Sequence, residues 1–330
     1  MALIRWCTAP AEAWDAEAAA LHPSPFLRSR WVRAVAEGYG CPIACVRVGG
    51  DDPVAMAGGV ILGPPLLRVW YSMLPYGGLL GPGAQDPDTW RQILSDLRRR
   101  GCVQAQWVPE EPAEPQVPAR AVRSVSHRRS LPAGEEILWA SLDKRRRSDV
   151  RRAERDGVEV AVSEGEAAAN VLARLYRASM REHRARPRYG PALLQAIARR
   201  LGPDERSFVS ASRGGTPVAG ALVLHLADTA HLLVAATGPE GRACGAGDVV
   251  LAHALRTAVA RGTTRFDFMG TPPGDETLGR WKEKWGGETR EVTRYVARLS
   301  GLRGTLVDWA LALTAGRPRV RGGRKPPEQK

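Results

Sequence analysis

RFDFMGTPPGDETLGRWKEKWGGE, Arg265 to Glu288, is the stretch on which the reading of this chain turns. Its first residues read as a β-strand that carries Asp267 and Phe268 and stops at Gly270. A polar loop rich in Pro and Gly follows, and then the cluster Trp281-Lys282-x-Lys284-Trp285-Gly286-Gly287. Polar side chains set this close to bulky aromatic ones belong either to a site or to a buried anchor.

Just upstream, GRACGAGDVVLAHALRTAVAR (Gly241–Arg261) places Arg242-x-x-Gly245-x-Gly247 between a strand pair and a helix. Glycines there let a ligand approach the backbone, and free amides at a helix start attract an anion such as a pyrophosphate. The same residues also suit a tight turn with Asp248 capping the helix. Further out, the order of elements recurs. A helix near Pro25–Gly40 leads into short strands over 43–48, 54–62 and 66–74, then a helix over 88–100 and a strand over 102–108. Helices over 135–156, 167–184 and 191–201 lead into strands over 207–212, 218–226 and 230–236, then a helix over 248–261 and strands over 265–269 and 292–299. The expected organisation is α+β (mixed α/β), with two units of similar architecture, 1–130 and 131–300, and the Pro-rich stretch Pro109–Pro118 reads as an exposed connection. Residues 301–330 read as a short helix and a disordered basic tail.

Composition narrows the function. The 330 residues are 44% hydrophobic and 25% charged, which excludes a disordered or collagen-like chain. Lys and Arg number 48 against 35 Asp and Glu, a net charge of +13, so an acidic partner is expected: nucleic acid, anionic lipid or a phosphorylated substrate. Coding bias toward Arg, Ala and Gly is the other source such a charge can have. The five scattered cysteines form no disulfide or zinc pattern, and no carboxylate and His spacing marks a metal site. No apolar run reaches the length of a membrane span, and no signal-peptide core appears, so the cytoplasm is the expected location. The tail, with Arg317, Arg319, Arg321, Arg324 and Lys325, is a candidate contact with the inner face of the membrane.

Between 135 and 156 the sequence is strongly basic. With Leu138, Leu142, Val150 and Ala153 as the buried stripe, Arg146 falls inside it, while Lys144, Arg147, Arg151 and Arg155 point away. A solvated face explains most of these residues, and phosphate binding by Arg147 with Arg151 or Arg152 is the functional alternative. Arg181, Arg184, Arg186 and Arg188 add charge to the same half. His183 and Tyr189, in a loop leaving a helix, suit either an acceptor cleft or structural roles, and His225 and His231 flank a hairpin, facing solvent or a neighbouring strand.

Three motifs carry a family resemblance. The Arg242-x-x-Gly245-x-Gly247 loop resembles the R/Q-x-x-G-x-G/A loop of GCN5-related N-acyltransferases (GNAT), where it lies near the pyrophosphate of acyl-CoA. Asp267-Phe268-x-Gly270 with Trp281-Lys282 and Trp285-Gly286 is similar to the D-F-x-G strand and aromatic-Lys segment of the Fem-like peptidyltransferases. Arg147-Ser148-Asp149-Val150-Arg151-Arg152-Ala153, continuing to Gly157-Val158-Glu159-Val160, is similar to the R-x-N-I-R-K-A … G-V-x-V pattern of the same family. With a weaker match at Phe26, Leu27, Ser29 and Trp31, the resemblance spans about residues 22 to 299.

The resemblance implies two tandem GNAT-like domains, each a central mixed sheet flanked by helices, with a cleft between them. It implies transfer of an amino acid from aminoacyl-tRNA to the amine of a peptidoglycan precursor or natural product, with no cofactor. Lys282 would then face the reacting carbonyl, and Asp267 would take a proton from the amine. Both residues also have structural readings: a lysine held between tryptophans and a strand-end acid bonded to amides. Tyr76, which stands where bridge-forming members carry a base, joins His183, Tyr189, Trp281 and Trp285 as expected acceptor or cleft residues. The alternatives are acyl-CoA as donor, held by Arg242, Gly245 and Gly247, and a non-enzymatic protein that binds nucleic acid or a membrane surface.

Overall fold

The first half of the chain runs β1 (Ile4–Cys7), α1 (Glu12–Leu21), α2 (Ser29–Tyr39), β2 (Cys45–Gly49), β3 (Pro53–Ala57), β4 (Val60–Leu62), β5 (Arg68–Ser72), α3 (Pro87–Arg99) and β6 (Cys102–Trp107). The second runs β7 (Arg120–Ser130), α4 (Glu135–Ser141), α5 (Lys144–Arg155), β8 (Val158–Ser163), α6 (Gly165–Glu182), α7 (Pro191–Arg200), β9 (Arg206–Arg213), β10 (Thr216–Leu226) and β11 (Thr229–Thr237). It continues through α8 (Pro239–Ala243), α9 (Ala246–Ala260), β12 (Arg265–Thr271), α10 (Glu276–Lys284), β13 (Glu288–Arg298) and α11 (Gly301–Thr314). The computed structural model describes residues 3–314 except Ala11, Arg184, Arg186 and Pro273, and side chains through Asp308; the basic tail from 315 onward lies outside the described residues.

The expected mixed α/β class holds, and the sheets of the two halves are joined. Ten strands form one sheet in the order β4-β5-β6-β13-β7-β12-β11-β10-β9-β8, and β1-β2-β3 form a small second sheet. The seam is β13, which pairs antiparallel with β6 over Tyr295–Arg298 and with β7 over Glu288–Val296. Because β6, β13, β7 and β12 alternate in direction, β6 and β12 point opposite ways.

Several elements differ from the sequence expectation, among them the unexpected helices α1, α8 and α10. Each half begins with a strand rather than a helix, since β1 and β7 precede their helices. The helix expected over 135–156 breaks at Leu142–Asp143, where the Asp143 side chain accepts from the Arg146 amide and restarts the helix as α5. The run over 54–62 splits into β3 and β4 around Gly58–Gly59. The half-exposed edge strand β8 is added.

Between the halves the expected cleft is filled over much of its length by a shared core. Phe26, Trp31, Val32 and Val35 of the first half pack in one cluster with Leu193, Leu194, Ile197 and Leu224 of the second. α2 presents a strongly one-sided apolar face to α7, and Gly38 permits the closest approach: a Cβ there would lie 2.4 Å from Leu193 Cα. Burial of this kind is worth about 25 cal/mol for each Å² of apolar surface, so the interface is held as a domain interior is.

Two halves that share a sheet and a core unfold together. Denaturant unfolding is expected to show one transition by tryptophan fluorescence and circular dichroism alike. Gly38→Ala, which drives a methyl into backbone, should lower stability by about 1–3 kcal/mol without splitting that transition. Two transitions, only one of them moved, would show that the halves fold separately.

Candidate functional site

β11 and β12 are parallel but pair only over Thr229–His231 and Arg265–Asp267, although β11 continues to Thr237 and β12 to Thr271. Past His231 and Asp267 the strands part, and the gap opens at their carboxyl ends, where open α/β sheets receive ligands. The corresponding pair of the first half, β5 and β6, stays joined from Arg68–Ser72 against Cys102–Trp107.

A loop with the properties of an anion cradle follows β11. Gly245 is the N-cap of α9 at φ +73°, a left-handed conformation that favours glycine, and it gives the helix no side-chain cap. The amides of Asp248 and Val249 turn back to the Gly245 carbonyl, which leaves those of Ala246, buried, and Gly247, half-buried, without a backbone acceptor among the described residues. Gly247 lies against Thr237, whose Oγ1 would be 2.7 Å from an added Cβ. Arg242 is turned aside: its Nη1 donates to Thr237 O at 2.6 Å, and its Nη2 pairs with Glu182. Asp248 points inward toward the Trp281 and Trp285 indoles and to Arg146 at 3.0 Å, and burial pushes its carboxyl up. The first half's α3 contrasts with this, because the Asp86 carboxylate accepts from the Asp88 and Thr89 amides and fills that helix end.

α5 lies alongside. Its Ala153 Cβ is 3.4 Å from where a Gly245 Cβ would stand, so the basic helix borders the cradle. Arg146 is buried, as its place in the apolar stripe predicts, and bridges Asp149 at 2.8 Å as well as Asp248. Arg151 and Arg152 are exposed with Lys144, Arg145 and Arg155, and Arg147 is half-buried, donating to Ala140 O at 3.2 Å.

Lys282 requires a correction. It is 3% exposed, and its Nζ donates to Met269 O at 2.7 Å, Gly270 O at 3.0 Å and Thr271 Oγ1 at 3.0 Å. An ammonium has three protons, so none is left for an oxyanion. Lys282 pins the end of β12, where Met269 sits at φ +64° in a bulge, and burial lowers its pKa to about 8.

Asp267 is likewise corrected from base to hub. Fully buried, it accepts from Tyr76 Oη at 2.9 Å and Arg128 Nη2 at 3.4 Å on one oxygen, and from Ser126 Oγ at 3.2 Å and Met269 N at 2.6 Å on the other. Tyr76, expected at the acceptor cleft, is 3% exposed and spends its hydroxyl on this bond; burial and the Asp267 charge push the phenol up. Trp285, also expected there, is fully buried in the second core, and Trp281 packs against that core half-buried.

His183 and Tyr189 lie on the segment that leaves α6. His183 is the exposed C-cap of that helix, and Arg184 and Arg186 lie outside the described residues. Tyr189 is buried, with the Arg188 guanidinium 5.6 Å over its ring. Around Arg188 the backbone accepts from Tyr39 Oη at 3.2 Å and donates to Tyr176 Oη at 3.1 Å, and Tyr71 and Arg294 lie nearby. This aromatic and cationic corner joins residues of both halves; Tyr39, Tyr71 and Tyr176, distant in sequence, carry no local motif.

His231 is no solvent-facing histidine. Fully buried, it has no partner for either ring nitrogen among the described residues, and it stacks edgewise on Phe26 with centroids 5.0 Å apart.

Burial holds His231 near pKa about 4, against 6.5 when unfolded, so between those values the native state binds fewer protons. Its contribution is present above pH 6.5 and is lost as pH falls through 4. His231→Phe should therefore flatten the acid limb of a thermal-stability profile over that window. Lys282→Met should lower stability by about 2–4 kcal/mol, since it leaves buried carbonyls unpaired; an unchanged unfolding curve would return Lys282 to a purely chemical role.

Residues 141–283 match the acetyltransferase (GNAT) domain family. Among solved structures, the chain is similar to FemX (12% identity, TM-score 0.66, 88% of this chain on 96% of that one). It is similar also to a tandem GNAT protein from the clavulanic acid biosynthesis pathway (11%, 0.60, 91% on 99%) and to L-PGS from Bacillus licheniformis (12%, 0.59, 94% on 98%). No curated protein matches it in sequence. At these identities the structural likenesses speak for the fold, and the family match speaks for the domain that holds the parted strands and the Gly245 loop: the chain is an acyltransferase of tandem GNAT fold, with its acetyltransferase (GNAT) domain at 141–283.

Proposed function

We propose that the chain is an N-acyltransferase that moves an aminoacyl group from aminoacyl-tRNA to an amine acceptor. The carrying observation is α5, whose buried Ala153 borders the Gly245 cradle and whose exposed side carries Lys144, Arg145, Arg151, Arg152 and Arg155, with half-buried Arg147 among them. A single pyrophosphate needs a few amides, whereas a helix-long row of cations suits a polyanion that continues past the cradle. FemX as a structural neighbour supports the same reading.

The chemistry asks little of the protein. An aminoacyl ester is already activated; the amine attacks its carbonyl, and the tetrahedral intermediate collapses to an amide as the ribose oxygen leaves with a proton. Positioning supplies most of the rate, and no covalent enzyme intermediate is required. The acceptor cleft is assigned to the corner around Arg188, Tyr189, Tyr39 and Tyr176, whose cation and phenols suit an acceptor that carries anionic and sugar-like groups, as a peptidoglycan precursor or a natural-product amine would. Such a reaction belongs in the cytoplasm, where aminoacyl-tRNA is made.

A second reading, acyl-CoA as donor, rests on the uncapped start of α9, where the half-buried Gly247 amide has no backbone acceptor among the described residues and suits a pyrophosphate equally well. Binding of charged tRNA, uncharged tRNA and CoA at two salt concentrations separates the two. The expected result is salt-sensitive preference for charged tRNA. Arg147→Glu with Arg151→Glu should weaken it at least about tenfold and reduce the salt slope by about one for each phosphate no longer neutralised. Saturable CoA binding, with tRNA binding untouched by the charge reversals, would overturn the tRNA reading in favour of acyl-CoA.

A further inference from the structure

A second pocket lies at the opposite end of the molecule from the Gly245 cradle. It has a volume of about 480 Å³ and is walled by the loop after β5 (Gly77–Gly81), the segment after β6 (Pro109–Gln116) and the turn from β10 into β11 (Leu226–His231). That size is typical of small-molecule sites. Topology makes it the counterpart of the donor gap, since it sits at the carboxyl ends of the first half's parallel pair, and β6 runs opposite to β12. Its chemistry is reversed. The nearby start of α3, which would otherwise attract an anion, is already filled by the Asp86 carboxylate.

Four carboxylates, Glu110, Glu111, Glu114 and Asp228, line the pocket against one arginine, Arg265, in a protein of net charge +13. Their engagement differs. Asp228 is held by Arg265 at 2.7 Å, and Glu111 by Arg128 at 2.7 Å and Arg290 at 3.1 Å. Glu110 is half-buried, and its carboxylate makes no hydrogen bond among the described residues; its nearest cation is Arg128 Nη2, 3.7 Å away. Burial pushes the Glu110 carboxyl up, which marks a charge without enough compensation. On the inner wall is His231, fully buried and with both ring nitrogens unpartnered among the described residues. A buried polar ring without partners costs on the order of 1–3 kcal/mol, a cost that a ligand able to bond it would remove. Trp90 and Trp107 add aromatic surface.

We propose that this pocket binds a small aliphatic amine in its ammonium form, with Glu110 as counter-ion and His231 as hydrogen-bond partner. The ammonium supplies the protons that the free carboxylate and the free imidazole nitrogen lack, and its alkyl chain lies along Trp107 and the prolines. An anion is disfavoured by Glu110, Glu111 and the capped α3. The inference goes beyond the donor reading and does not depend on it, because it is read by binding alone.

The test is calorimetric titration of the full chain with 1,4-diaminobutane, and with inorganic phosphate as the anionic control, above neutral pH. Saturable binding of the diamine is expected, with none of phosphate at this pocket. Glu110→Gln should weaken diamine binding at least about tenfold, a loss of about 1.4 kcal/mol, with the unfolding curve unchanged. His231→Phe should weaken it as well. No saturable binding by the native chain overturns the proposal. So does retention of full affinity by either variant that unfolds like the native protein. Since neither readout involves tRNA or transfer, failure here leaves the donor reading standing, and failure of that reading leaves this one standing.

Discussion

The opening between β11 and β12 is set by one buried carboxylate. Asp267 receives protons from a loop of the first half (Tyr76), from two positions on β7 (Ser126 and Arg128) and from its own strand (Met269 N). A buried charge is tolerable only when it is paired and hydrogen-bonded, so this carboxylate fixes three segments relative to one another. It sits at the last paired residue of β12, opposite His231, the point at which β11 and β12 begin to part. Lys282 fixes the far side of the same opening by holding the carbonyls of Met269 and Gly270. The gap is therefore clamped at its base and at its lip by two buried polar groups that need not touch a substrate.

This explains why the most conspicuous polar residues of the sequence are not the ones with free valences. Asp267 and Lys282 stand out because acids and lysines beside Phe and Trp are costly unless something answers them. That cost reads the same in a sequence whether a substrate or a carbonyl supplies the answer. The Gly245 loop was legible for a firmer reason: a left-handed backbone before a long helix favours glycine and leaves amides open, and both are local properties. β7 was missed because RAVRSVSHRRS carries arginines and serines on the face where β13, β12 and Asp267 supply partners, a context no local pattern shows. The corner around Arg188, and the pocket lined by Glu110 and His231, join residues far apart in sequence, so only the fold assembles them.

The two halves share an architecture but not a chemistry, and the difference lies at their helix starts. In the second half the parallel strands part and the following helix has no side-chain cap, so the site is open, positive and suited to an anion. In the first, the parallel strands stay paired, Asp86 caps the helix, and acids gather on the loop after β6. One helix start is left without a side-chain cap and the other is filled by a carboxylate, on the same kind of scaffold.

The ligands of an amide-forming reaction differ in charge. The donor is a polyanion in either reading, while the acceptor's amine is a cation until it loses a proton. A protein positive throughout, as a net charge of +13 suggests at first sight, would gather donors and exclude protonated amines. The charge is instead segregated: the cations of α5 lie on its exposed side near the donor gap, while a half-buried carboxylate paired only at 3.7 Å lies in the opposite pocket, so the two regions suit ligands of opposite sign. Net charge alone hides the arrangement, because the basic excess lies on an exposed helix and the acidic exception inside a pocket.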